Sequence, residues 1–134
     1  MMIWRLHEVD NPRRGVFRAF DVNQTAARGH DPYTACKTPS RGFPFTDEDL
    51  AEAFDRLPRH DQDQFFFGFR TLAQYKAVWR YAENRRKLEE ISRGKCVLVQ
   101  YEVPDEYVIS SDFQCVFKLE HARAVQSRKP TWVT

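Results

Sequence analysis

Gly94-Lys95-Cys96-Val97-Leu98-Val99-Gln100-Tyr101-Glu102-Val103-Pro104-Asp105-Glu106-Tyr107, followed by Asp112-Phe113-Gln114-Cys115-Val116-Phe117, carries the clearest structural pattern in the chain. Both parts are rich in Val, Tyr and Phe and alternate with a period of two, and a Pro-Asp-Glu break divides them, so both read as sheet strands. Successive side chains of a strand point to opposite faces. Gln100 and Glu102 therefore oppose Val97, Val99, Tyr101 and Val103, while Gln114 shares a face with Val116 and opposes Cys115. These polar side chains either line a cleft or face water.

The rest of the chain supports a single α+β domain over residues 1–134, with a mixed, mostly antiparallel sheet and two or three helices. At 134 residues the chain is long enough for one core and too short for two. Hydrophobic residues make up 42% and eleven residues are Phe, which argues for a folded protein despite a mean hydropathy of -0.66. The net charge of +2 lacks the basic excess of a dedicated nucleic-acid binder, although local patches leave nucleic acid open as a partner. No run approaches the roughly 18 apolar residues of a membrane span, and the N-terminal residues lack a signal-peptide layout. The expectation is a cytoplasmic protein with no membrane contact. Cys36, Cys96 and Cys115 are odd in number and show no C-x-x-C spacing, so free thiols are expected.

Upstream, Ile3, Arg5 and His7 alternate with Trp4 and Leu6, which predicts a first strand over Met2 to Val9 with a polar and an apolar face. Asn11-Pro12-Arg13-Arg14-Gly15 reads as the following turn and Val16 to Phe20 as a short second strand. Residues 21–45 have no period and read as a long irregular loop, carrying His30, Tyr33, Lys37 and Arg41 where a ligand or partner could meet them. Thr46 before Asp47-Glu48-Asp49 has the form of an N-cap for a helix anchored by Leu50, Ala53, Phe54 and Leu57 and ended by Pro58. Gln64 to Phe69 reads as a short aromatic strand. A cap-like Thr71-Leu72-Ala73-Gln74 then opens a helix with Leu72, Tyr75, Val78, Trp79 and Ala82 on one side. The charged stretch Asn84 to Arg93 ends at Gly94, which suits the position just past a helix. Residues 126–134 read as a loose C-terminal tail.

Several chemistries are disfavoured. His7, His30, His60 and His121 have no paired spacing with one another or with cysteine, so no metal site is expected. No glycine is followed by the Lys-Ser or Lys-Thr of a phosphate loop, and no G-x-S-x-G elbow occurs.

The order and spacing of Trp4-Arg5-Leu6, Gly15-Val16-Phe17-Arg18-Ala19, Phe67-Gly68-Phe69-Arg70-Thr71-Leu72, Val99-Gln100-Tyr101-Glu102-Val103-Pro104 and Gln114-Cys115-Val116-Phe117 resemble small phage and mobile-element proteins with a mono-ADP-ribosyltransferase-like fold. The resemblance covers most of the chain and lies in layout rather than in a specific motif. It implies a first-strand Arg or His holding NAD, central aromatics stacking on the nicotinamide, and a late-strand acid that stabilises an oxocarbenium-like transition state. Carried over, Arg5 or His7 takes the first role and Phe69, Tyr75 or Trp79 the second. Gln114 occupies the place of the acid, where an amide keeps hydrogen-bonding capacity without negative charge, so Glu102 or Asp112 would have to assist. Read from the residues alone, Arg5 is equally an exposed arginine in a surface ion pair, Gln114 an ordinary sheet-edge amide, and Tyr75 and Trp79 core aromatics.

Two functions follow. One is an NAD-using ADP-ribosyltransferase-like protein that modifies a host protein, with catalytic Gln114 and Glu102 and cofactor-binding Arg5, His7, Phe69 and Tyr75. The other is a non-catalytic phage inhibitor that docks on a host defence or transcription complex, with the Arg80 to Arg93 segment as a basic surface partly accounted for by Glu83-Lys87 and Glu89-Arg93 pairs. Direct RNA binding through aromatics is the weaker third. Oligomeric state stays open.

Overall fold

The computed structural model describes residues 1–15, 48–62, 64–78, 85–86, 89–90, 93–112 and 114–130. The predicted strand at 16–20, the loop at 21–45, the cap at Thr46, and Trp79 through Asn84 lie outside them.

Within the described residues, four strands form one sheet in the order β2-β1-β4-β7: β1 (Met2–Glu8), β2 (Asn11–Gly15), β4 (Cys96–Glu102) and β7 (Arg123–Arg128). Three more form a second sheet in the order β3-β6-β5: β3 (Phe65–Gly68), β6 (Cys115–Lys118) and β5 (Val108–Ser110). Every described pairing is antiparallel. The fold is α+β as expected, but the single mixed sheet becomes two sheets. Helices among the described residues include α1 (Glu48–Asp55), α2 (Arg59–Gln62) and α3 (Leu72–Val78), with 3-10 turns at Asp105–Tyr107 and Leu119–His121.

One residue pair stitches the sheets together. Trp4 N–H donates to the Phe69 carbonyl at 2.7 Å and Phe69 N–H donates to the Trp4 carbonyl at 2.8 Å. Both backbone groups of Trp4 thus point away from β4, so β3 meets β1 on the edge that β2 occupies further along. The approach is close: a Cβ on Gly68 would lie 2.5 Å from Ile3 Cγ2 and 2.9 Å from the Trp4 carbonyl oxygen. Only a glycine fits there.

Because strands alternate faces, each sheet contributes to two apolar clusters. Trp4, Leu6, Phe67, Phe69, Leu98 and Val116 join Leu50 of α1 and Tyr75 of α3 in one. Ile3, Phe66, Val99, Tyr101, Val103, Cys115 and Phe117 form the other. The polar face expected for β1 is therefore corrected: Ile3, Arg5 and His7 are all buried, on the side of the second cluster. A polar residue type in a period-2 pattern marks a solvated face only if nothing covers it.

Two strands lie where other structure is expected. Asn11–Gly15 is β2 rather than a turn, and Val9-Asp10 makes the reversal. Residues 123–128 pair with β4, so Gln126 to Arg128, read as the start of a tail, are strand, and residues 131–134 of that tail lie outside the described residues. The aromatic strand and the helix behind it are where expected. Thr71 caps α3, its Oγ1 accepting from Gln74 N–H at 3.1 Å. Gly94 has φ +76, the left-handed conformation glycine adopts without strain, two residues before β4 begins at Cys96.

Candidate functional site

Arg5, His7 and Tyr101 are buried polar residues on one face of β1 and β4. Arg5 is fully buried and its guanidinium donates through Nη1 to the Phe67 carbonyl at 2.9 Å and through Nε to the Pro12 carbonyl at 3.1 Å. Its Cζ sits 5.0 Å from the Phe66 ring centroid, and Arg13 approaches the same ring at 5.6 Å. Arg5 thus joins β2 and β3 to β1 through backbone acceptors. The surface ion pair considered for it is corrected on this geometry.

His7 is 4% exposed, with Nδ1 2.8 Å from the Glu8 carbonyl and Nε2 2.7 Å from the Tyr101 hydroxyl. A carbonyl only accepts, so Nδ1 carries the proton and Nε2 accepts from Tyr101. Burial is the main reason the His7 pKa falls from 6.5 to about 4; the Glu8 carbonyl opposes that fall and the Arg5 charge adds to it. Burial likewise raises the Tyr101 pKa, against the Arg5 charge. Near neutral pH the pair is uncharged and mutually satisfied.

Gln114 lies at the turn between β5 and β6, 1% exposed, its carbonyl accepting from Ser111 N–H at 2.9 Å. Continuing the β3–β6 register by one residue sets it level with Phe69 on the Val116 face. Arg5 pairs with Val99, on the other face. The structure therefore does not bring Arg5 and Gln114 together. The Gln114 Nε2 is buried without a hydrogen-bond partner among the described residues.

The other predicted residues are dispersed as well. Phe69 and Tyr75 are buried and meet edge to face with ring centroids 6.0 Å apart, an arrangement of core packing. Burial pushes the Tyr75 hydroxyl upward. Asp112 supplies its carbonyl to Gln74 Nε2 at 2.8 Å, while Gln74 Oε1 accepts from Arg70 N–H, tying α3 to the β5–β6 turn. Glu102 is exposed at the end of β4, where it pairs with Arg123 at 3.0 Å.

That last pair belongs to a feature the sequence reading passed over. All six residues of β7 are exposed, and β4 is its only strand neighbour among the described residues. The β4–β7 register steps between Gln100 and Tyr101, so Arg128 faces Leu98, Gln126 faces Gln100, Ala124 faces Tyr101 and Arg123 faces Glu102. Val125 is the extra, bulged residue. In an unbulged strand Arg123 and Arg128, five positions apart, would lie on opposite faces; the bulge puts Arg123, Gln126 and Arg128 on one. Side-chain contacts agree with that register: Gln126 Nε2 donates to Gln100 Oε1 at 2.6 Å, and the Arg128 Cζ lies 4.9 Å from the Trp4 ring centroid. The signal in the sequence was compositional, since His121 to Pro130 contains Arg123, Arg128 and Lys129 and no acid.

The family described as Bacteriophage T4 Y00F protein matches residues 1–131. The chain belongs to that family. No curated protein and no solved structure matches it. Membership supports the phage part of the resemblance and carries nothing about NAD. Among the described residues of this family member, no helix is long and apolar enough to cross a membrane.

Proposed function

We propose that this phage protein acts by binding a protein of the host cell rather than by chemistry on NAD. The observation that carries the reading is the distribution of polar side chains. Arg5, His7 and Gln114 are buried within the fold, whereas Arg123 and Arg128 stand on a strand whose six residues are all exposed. Arg5 already spends two donors on backbone carbonyls inside the protein. Releasing it to a pyrophosphate would leave those buried acceptors unsatisfied, at about 1–3 kcal/mol each. The transferase reading needs Arg5 and Gln114 on one ligand, and their placement on opposite faces makes it the less supported of the two.

Calorimetric titration of NAD into the purified chain, beside chemical crosslinking in host cells that express it, separates the readings. Binding to a host protein predicts no saturable heat at millimolar NAD and one discrete crosslinked host protein. Saturable NAD binding with no crosslinked protein would reverse the order of the two.

A further inference from the structure

We infer that the edge of β7 with no strand neighbour among the described residues is a strand-docking site for an extended segment of a partner protein that carries two carboxylates four positions apart. The inference rests on the protein-binding reading and names the surface and chemistry it uses. A strand with one neighbour presents unpaired backbone donors and acceptors along its other side, which is how an added peptide strand gains both affinity and register.

Side chains select what is added. The bulge at Val125 puts Arg128, Gln126 and Arg123 on one face in the spacing that β4 meets with Leu98, Gln100 and Glu102 at alternate positions. A strand on the opposite edge therefore faces those three groups with its own positions j, j+2 and j+4. Carboxylates at j and j+4 oppose the arginines, and an amide or hydroxyl at j+2 opposes Gln126. The other face of β7 offers Ala124 and Ser127, small enough for apolar partner residues at j+1 and j+3. Arg123 already holds Glu102 through Nη2, and a guanidinium has donors left for a second carboxylate.

Two other occupants fit less well. Two-fold pairing of β7 with a second copy over its full length, centred between Val125 and Gln126, sets Arg123 opposite Arg128 twice, a like-charge opposition. A DNA backbone offers acceptors alone, leaving the β7 carbonyls unmatched, and its phosphates would lie beside the Glu102 carboxylate.

The test uses the full chain and a short fluorescent peptide with the core Glu-Val-Gln-Val-Glu, read by anisotropy. Its Lys-Val-Gln-Val-Lys counterpart, two N-methylated versions that block alternate backbone N–H sets, and a duplex DNA are measured beside it. Expected are saturable binding of the Glu peptide, and loss of binding on N-methylation of one alternate set but not the other. The Arg123→Glu, Arg128→Glu double variant should lose about tenfold or more in affinity and gain the Lys peptide, a charge swap that a merely misfolded variant cannot show. The inference is overturned by no binding at millimolar peptide, by indifference to both N-methylated sets, by DNA binding in place of peptide binding, or by a dimer that the double variant abolishes. If the peptide fails while the crosslinked host protein persists with the double variant, the edge assignment falls alone. Loss of that crosslink in the wild type as well removes the functional reading beneath it.

Discussion

At the scale of single residues, His7 shows how burial converts a candidate ligand into a structural group. Its folded pKa of about 4 lies below the ordinary 6.5, so the unfolded chain binds a proton in that window and the folded chain does not. The contribution is complete above about pH 6.5 and is lost as the pH falls toward 4, amounting to about 3 kcal/mol at roughly 1.4 kcal/mol per unit. Denaturant unfolding of the wild type and of His7→Gln at both ends of the window should show this component in the wild type and not in the variant. Equal pH dependence of the two would place His7 in a wetter site. Gly68 sets a second residue-scale limit. Adding a methyl group there pushes on Ile3 and on the Trp4 carbonyl, so Gly68→Ala should cost about 1–3 kcal/mol of stability, measured by the same unfolding. A neutral substitution would mean that the two sheets are less closely joined at this point.

At the scale of elements, legibility followed the apolar pattern. β4 and β6 were readable because Val, Leu, Tyr and Phe alternate in them, and β3 because Phe65, Phe66 and Phe67 sit between turn residues. β2 was not, because Asn11-Pro12-Arg13-Arg14-Gly15 has turn composition and only its pairing with β1 makes it a strand. β7 was missed for a different reason: its bulge breaks the period of two, and an edge strand exposed on both faces needs no apolar alternation at all. Arg5 and His7 were placed on the correct strand and given the wrong surroundings, since alternation says which residues share a face but not what covers it. Deletion of Val125 tests the bulge directly. The shortened strand then pairs in strict alternation with Arg123 four positions from Arg128, so Arg123 keeps its face and its NMR contacts with Glu102 should persist beside those between β1 and β4. Loss of the Arg123 contacts with Glu102 would show that Val125 is not the extra residue of the pairing.

At the scale of the whole molecule, the two sheets share β1 as their hinge point of construction, and both faces of that strand are buried. Side chains that would do chemistry in a cleft instead join strands: Arg5 links three of them, and Gln74 holds a helix to a turn. What the fold leaves outward on β7 is a short cationic ladder. Function at an edge is poorly visible in sequence, because it depends on which strand ends up outermost, a property of topology rather than of any local motif. The most direct measurement is hydrogen–deuterium exchange on the intact chain, alone, with NAD, and with the Glu-Val-Gln-Val-Glu peptide. The account predicts slowed exchange confined to residues 123–128 with the peptide and no change anywhere with NAD. Slowing at residues 3–7 and 66–69 in the presence of NAD would contradict it and return function to the interior.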